Sequence, residues 1–480
     1  MALGRKLVQW DWRDMIRGMS SSDDIDDAGF SSNTDAVQLT NNPGVCYAPA
    51  VPTDASTGLT GNIIASCEDP QVIGGSARLY VSADSDNDGR FYSYDSGTLT
   101  ARGAEDTGAN YVSAKTDMVA YQGEVYVTND RYIVRWQQPA TFNTTFYDLS
   151  SSYGNASVVP HPALAYENNA FYGNGNLLLR QTSAGGTPAA ILTLTDNQVI
   201  VALGIDPGSG KMLISVIDSI NLSSAKNSPA KVLYYDGFSN KASRVVPVDE
   251  MITAFPYTEG QLYAAYGQNL GYWNGAGITF LRKFSISLAS ASLLYKQHFT
   301  SAGSTLYLVE GSKIIAHGPV RQGGEKVFYP AYKNQVNVNE LLSISNVGSN
   351  VISMSFSSAK LYIWDLSSIA TTNSSDLYSN DYAFDDEEWI RRIRIIWKSQ
   401  VANGADPGSI RLYDQDGLIT SLGDTGAFDL ANSSGAASAF IDINNINYRA
   451  KQIQFRIYID TSVNPGIRRV IFYGDPANMT

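Results

Sequence analysis

The stretch "ARLYVSADSDNDGRFYSYDSG", Ala77 to Gly97, reads as two strands around a tight turn. Successive strand residues point to opposite faces, so Leu79 and Val81 share one face and can pack on a neighbouring sheet. The pattern of an apolar–aromatic pair, a turn and a second strand then recurs. It is found in "GEVYVTNDRYIVRW" from Gly123, "NAFYGNGNLLLRQ" from Asn169 and, more weakly, "GKMLISV" from Gly210. It continues in "GQLYAAYGQNLGYWNG" from Gly260, "STLYLVEGSKIIAHG" from Ser304 and "NVISMSFSSAKLYIWDL" from Asn350. The second residue of each pair falls at Tyr80, Tyr126, Tyr172, Leu213, Tyr263, Tyr307 and Ser353. These positions lie about 45 residues apart, the period of a unit of several strands in a β-propeller. Seven copies predict seven blades. One blade cannot cover both of its faces alone, and closing the ring lets each cover the next. Within the copies Trp-Asp occurs only at Trp364-Asp365, and neither a repeated Asp-box nor a repeated double glycine is present. The common propeller signatures are therefore missing.

The turn of the first copy, "DSDNDG", has two readings. Asp84, Asp86, Asp88, Gly89 and Asp95 follow the spacing of a calcium loop, with Asp95 in place of the closing glutamate. Arg90 to Asp95 reads as a strand, however, and six extended residues carry Asp95 roughly 20 Å from the loop. What stays open is a structural calcium site on Asp84, Asp86 and Asp88, or a solvated Asn-Asp-Gly hairpin turn. No other cofactor is expected.

Composition bounds the function. The chain has 480 residues, 44% hydrophobic and 17% charged, which describes a globular protein with a sizeable core. Lys and Arg number 34 against 46 Asp and Glu, a net charge of -12, which argues against a dedicated nucleic-acid clamp. Cys46 and Cys67 are too few for a disulfide framework and are expected as free buried thiols. "MALGRKLVQW" has no apolar core of a signal peptide, and no apolar run approaches the roughly 20 residues that cross a bilayer. A soluble protein made in a cytosol is expected.

The ends depart from the repeat. Residues 1–58 are polar, with isolated anchors at Trp10, Trp12, Ile16, Ile25, Phe30, Val37 and Leu39. Too polar to fold alone, they are expected to form an extended arm lying on this chain or on a neighbour. Residues 59–384 are assigned to the propeller. From 385 to 480 short alternating strands predict a jelly-roll-like β-sandwich, so the fold class is all-β. In this last part Trp389, Ile393, Ile395 and Trp397 are expected on one face of a strand, as are Ile453, Phe455, Ile457 and Ile459. "SIRLYDQDGLIT" predicts a hairpin turning at Asp416-Gly417. Arg391, Arg392, Arg394, Arg456, Arg468 and Arg469 are expected in ion pairs or interfaces.

Catalytic patterns are weak. His161, His298 and His317 each stand alone, without the spacing of a transition-metal site. "GIDPGSGK" from Gly204 lacks the spacing of a phosphate loop, because Met212 follows Lys211, and it reads as a hairpin turn. Asp385, Asp386, Glu387 and Glu388 read as a solvated linker. A non-enzyme is expected.

The order of parts resembles bacteriophage virion proteins. The arm "RGMSSSDDIDDAGFSSNTDAVQLTNNPGV" is similar to their N-terminal signature at Gly18, Asp35, Ala36, Val37, Pro43 and Gly44. A propeller followed by a C-terminal sandwich resembles the tail-nozzle and tail-accessory proteins of short-tailed phages, although the inserted domains of the longest nozzles are absent. The resemblance implies a structural virion subunit, present as a homo-oligomer among other virion proteins and in passive contact with DNA passing a channel. Two other readings stay open: a virion-surface decoration or glycan-binding receptor protein, and a propeller glycoside hydrolase with carboxylates built across blades.

Overall fold

A computed structural model describes residues 5–11, 19–20, 30–31, 47–69, 78–85, 88–105, 115–137, 141–218, 230–284, 295–319, 325–333, 340–348, 350–368, 375–379, 382–414, 417–418, 427–460 and 463–476. The fold is all-β. Among the described residues helix occurs only as 3-10 turns, such as Lys296–His298. Among the described residues, seven sheets of four or five strands follow one another along the chain, within residues 62–105, 118–148, 163–193, 199–248, 252–283, 299–333 and 341–365. The seventh takes its fourth strand, Thr53–Asp54, from the other end of the repeat region. These are the antiparallel four-stranded sheets of a β-propeller.

The residues that mark the repeat all fall near the start of the second strand of their sheet. Tyr80 lies in Arg78–Ser85, Tyr126 in Glu124–Thr128, Tyr172 in Asn169–Asn174 and Leu213 in Lys211–Ile217. Tyr263, Tyr307 and Ser353 do the same in Gln261–Tyr266, Thr305–Glu310 and Val351–Phe356. All seven are buried. Burial falls from the inner strands outward. Every residue of Glu124–Thr128 and of Asn169–Asn174 is buried, whereas Ala189–Thr193 and Ile278–Lys283, fourth strands of their sheets, are largely uncovered. A sheet covered on both faces needs apolar side chains on both, so these second strands are less strictly alternating than a half-buried strand.

The apolar cores lie between consecutive sheets. Ile64, Tyr80 and Phe91 of the first meet Met118, Val125 and Trp136 of the second. Phe171 and Leu178 of the third meet Ile200, Met212 and Ile214 of the fourth. Val347 and Leu361 of the seventh meet Ile63, Leu79 and Val81 of the first, so the series returns to its beginning. The first strand of the seventh sheet, Leu341–Gly348, also lies beside Asn62–Asp69, the first strand of the first.

"GIDPGSGK" is the hairpin expected: Asp206 pairs with Lys211, and Gly210 occupies the left-handed region at φ +66. The loop of the first copy is also a hairpin, with Ser85 opposite Asp88 and Asp84 opposite Gly89. Asp95 ends the strand Asp88–Asp95, at the far end from the loop.

The chain falls into two compact units: Thr53–Ser312 with Asn339–Trp364, and Met1–Pro52 with Lys313–Val338 and Asp365–Thr480. The second contains an eight-stranded sheet in the order Arg5–Asp11, Ile467–Pro476, Tyr382–Val401, Ser438–Ile459, Gly408–Asp414 and Gly417–Leu418. Ser375–Tyr378 pairs with Ser438–Ile459, and Ala427–Asp429 with Gly408–Asp414. This sheet therefore begins before residue 385, at Ser375, while strand pairing within the propeller begins at Thr53. Part of the arm joins the sheet, because Arg5–Asp11 pairs antiparallel with Ile467–Pro476.

Ile453, Phe455, Ile457 and Ile459 form a buried row, as their alternation predicts. Trp389 does not join Ile393, Ile395 and Trp397. The register of Tyr382–Val401 shifts between Ile390 and Arg392 against both of its neighbours. An extra residue in a strand reverses which side chains point inward. Glu388 and Ile390 are buried upstream of the shift, and Trp389 lies half-buried under the Arg391 guanidinium at 4.8 Å. The C-terminal hairpin turns one residue earlier than expected: Asp414 pairs with Gly417, so the loop is residues 415–416, which lie outside the described residues.

Candidate functional site

A cavity of about 500 Å³ opens within the propeller unit, lined by first strands of the sheets and the segments that lead into them. Its walls are mainly apolar: Pro160, Pro162, Leu203, Ile205, Phe255 and Phe299. Ligand sites are commonly concave and apolar, with a few convergent polar groups, and this is the volume they occupy.

Its polar feature is a bridge between distant segments. Lys296 Nζ donates to both carboxylate oxygens of Asp117, at 2.9 and 3.0 Å, and to the Ala163 carbonyl at 3.0 Å. The same carboxylate accepts the Met118 N–H at 2.7 Å and the Ala163 N–H at 2.8 Å. Three chain segments, leading into or starting the second, third and sixth sheets, are thus tied together. Beyond the bridge a second cavity of about 240 Å³ is lined by Cys67, Met118, Ile344 and Asn346, and shares Asp117, Lys296 and Phe299 with the first. Lys296 is half exposed, so the ion pair contributes about 1 kcal/mol or less. Its role is positional.

The histidines are interior groups. His161 is fully buried, with Nδ1 3.2 Å from the Gly173 carbonyl oxygen and Nε2 3.0 Å from that of Ala156. His298 Nδ1 accepts the Tyr295 N–H at 2.9 Å. His317 stacks on Phe328 at 4.3 Å. Burial pushes His161 and His298 down to about 4 and His317 to about 3, so each is neutral near pH 7.

A second ionisable cluster is built into the interface between the second and third sheets. Glu124 is 4% exposed in its side chain and pairs with Arg135, whose Nε donates to it at 2.9 Å. The Tyr126 hydroxyl donates to the same carboxylate, and the Gly185 N–H reaches it at 2.9 Å. Gln181 donates to Tyr126 at 2.7 Å and accepts from Tyr172 at 2.9 Å. Burial, then the neighbouring carboxylate, pushes the Tyr126 hydroxyl up to about 12. Glu124 is held below the usual carboxylate range by Arg135, Tyr126 and Gly185 in spite of its burial. With its hydrogen bonds met inside the protein, the cluster joins two sheets and presents no reactive group.

Among the described residues no group of three His, Cys, Asp or Glu could hold a metal ion. Asp86 lies outside the described residues, as do the side chains of Asp84 and Asp88. The Lys296–Asp117 bridge was not foreseen: its partners are 179 residues apart and carry no motif. The Glu124–Arg135 pair was missed too, although Glu124 is two residues before the repeat position Tyr126 and Arg135 stands opposite it on the next strand.

No protein-family model matches the chain, and no curated protein matches it. Solved structures similar to it include the Neurospora crassa Pan2 WD40 domain, with 8% identity and a TM-score of 0.41 over 64% of this chain and 90% of that one. YCF48 bound to D1 peptide gives 11% identity and a TM-score of 0.42 over 67% and 97%. A chain of the mitotic checkpoint complex gives 13% and 0.42 over 66% and 94%. The fold assignment rests on the strand pairings themselves.

Proposed function

We propose that this chain is a non-enzymatic structural subunit of a short-tailed bacteriophage virion. It is a seven-bladed β-propeller with an N-terminal arm and a C-terminal jelly-roll-like sandwich, assembled in several copies at the tail or connector. The observation that carries the non-enzymatic reading is the use of charge at the 500 Å³ cavity: Lys296 and Asp117 face each other and backbone groups, holding segments in place. The virion reading is supported by the order of arm, propeller and sandwich and by the arm residues Gly18, Asp35, Ala36, Val37, Pro43 and Gly44. A net charge of -12 suits a conduit, since DNA phosphates pass an acidic wall without adhering.

Mass spectrometry and imaging of purified particles test the proposal. Several copies of the chain at the tail are expected, and its absence from particles overturns the assignment.

A further inference from the structure

Three adjacent strands of the C-terminal sheet, Ser375–Tyr378, Ser438–Ile459 and Gly408–Asp414, present charged and aromatic side chains on one face. Leu377, Ile410, Leu412, Phe455 and Ile457 point into the core, which turns the alternate residues of three adjacent strands outward. There Ser409 stands opposite Tyr458, and Arg411 opposite Arg456. These four line a depression of about 320 Å³. Arg456 is fixed on one side by Asp376, with bonds from Nε at 2.7 Å and Nη2 at 2.5 Å. It lies over the Tyr378 ring at 5.3 Å. The Arg411 side chain makes no ion pair or hydrogen bond among the described residues, and Tyr458 is 36% exposed. Asp429 stands on the far side of Ser409 and is exposed.

We propose that this depression binds a neutral saccharide. A pyranose offers hydroxyls that donate and accept along its edge and an apolar C–H face. The wall offers the complement at side-chain spacing: Arg411 as a donor, the Ser409 hydroxyl as donor or acceptor and Tyr458 as a ring to stack on, with Asp429 on the strand beside Ser409 as an acceptor at the rim. The neighbouring Arg411 and Arg456 are balanced by Asp376 and Asp429 in the adjacent row, which fits hydroxyl recognition better than the capture of a polyanion, as does the chain's net charge of -12. The inference stands independently of the virion assignment.

The test uses the full chain on an array of neutral and charged oligosaccharides, followed by calorimetry with the best neutral hit. Arg411→Gln and Tyr458→Ala are expected to weaken binding at least tenfold while leaving the melting temperature within about a degree, since neither side chain belongs to the core. Arg394→Gln, in the other half of the sheet, is expected to leave binding unchanged. The proposal is overturned by three results: no neutral saccharide binds, binding is confined to charged polymers and disappears with salt, or binding persists in both variants.

Discussion

The buried Glu124–Arg135–Tyr126 cluster and the three interior histidines make residue-level expectations. Removing one partner of a buried pair leaves the other charge unpaired, at a cost of about 3 kcal/mol. Glu124→Gln should therefore lower the midpoint of chemical denaturation far more than Lys296→Gln, which breaks a half-exposed pair. A smaller effect for Glu124→Gln would show that the cluster is not a joint between sheets. The histidines give a pH dependence of definite sign. Their folded values, about 4, 4 and 3, lie below the usual value near 6.5, so the unfolded chain takes up protons first as pH falls. Their contribution is intact above pH 6.5 and is lost progressively towards pH 4, up to about 3 kcal/mol for each histidine. Denaturation curves at pH 7.5, 5.5 and 4.5 should record the fall, and His298→Gln should flatten it. Equal stability at all three values would mean that the imidazoles are not held neutral.

At the level of the element, legibility follows burial geometry. The repeat could be read because a strand packed on both faces needs a dense apolar–aromatic run, and that run returns at Tyr80, Tyr126, Tyr172 and Tyr263. The phase of Trp389 could not, because a bulge is one extra residue with no composition of its own; its trace is the contact of Arg391 with the neighbouring ring. The Lys296–Asp117 bridge was hidden for another reason, since its partners meet only once the sheets are stacked. The hairpin of Asp84, Asp86 and Asp88 can still be tested as a calcium site. If it holds calcium, millimolar calcium should raise the melting temperature and Asp86→Ala should remove the increment, whereas no shift in the parent leaves the solvated turn. Gly408 begins its strand at φ +129, and a Cβ there would collide with the Tyr458 carbonyl oxygen. Gly408→Ala is therefore expected to cost several kcal/mol, roughly that of backbone strain and overpacking combined, read as a lower melting temperature.

For the molecule as a whole, the decisive joint is where the seventh sheet meets the start of the repeat region. "GNIIASCE" lies in the first strand of the first sheet, Asn62–Asp69, and the segment before it pairs with the seventh sheet. Thr53 and Asp54 pair with Ile363 and Tyr362. The Ala55 N–H donates to the Leu361 carbonyl at 2.8 Å, and the Ser56 hydroxyl accepts the Leu361 N–H at 3.0 Å. Lys360 adds an ion pair to Asp54 at 3.3 Å, and Asn62 accepts the Ala359 N–H at 3.2 Å. These bonds are few and mostly at the surface, yet they cover the edge of Lys360–Asp365, which would otherwise be open to pairing with another chain. Ala55→Pro deletes the central donor at a residue that also packs in the core between the seventh and first sheets. Combined with Ser56→Ala it should lower stability by about 2–3 kcal/mol, since three hydrogen bonds to the Leu361 backbone are lost. Hydrogen exchange at Lys360–Asp365 should rise before any other strand of the seventh sheet responds, and the protein should aggregate on warming at a lower temperature than the parent. Unchanged protection along that strand would mean that the propeller is held shut by its inter-sheet cores alone.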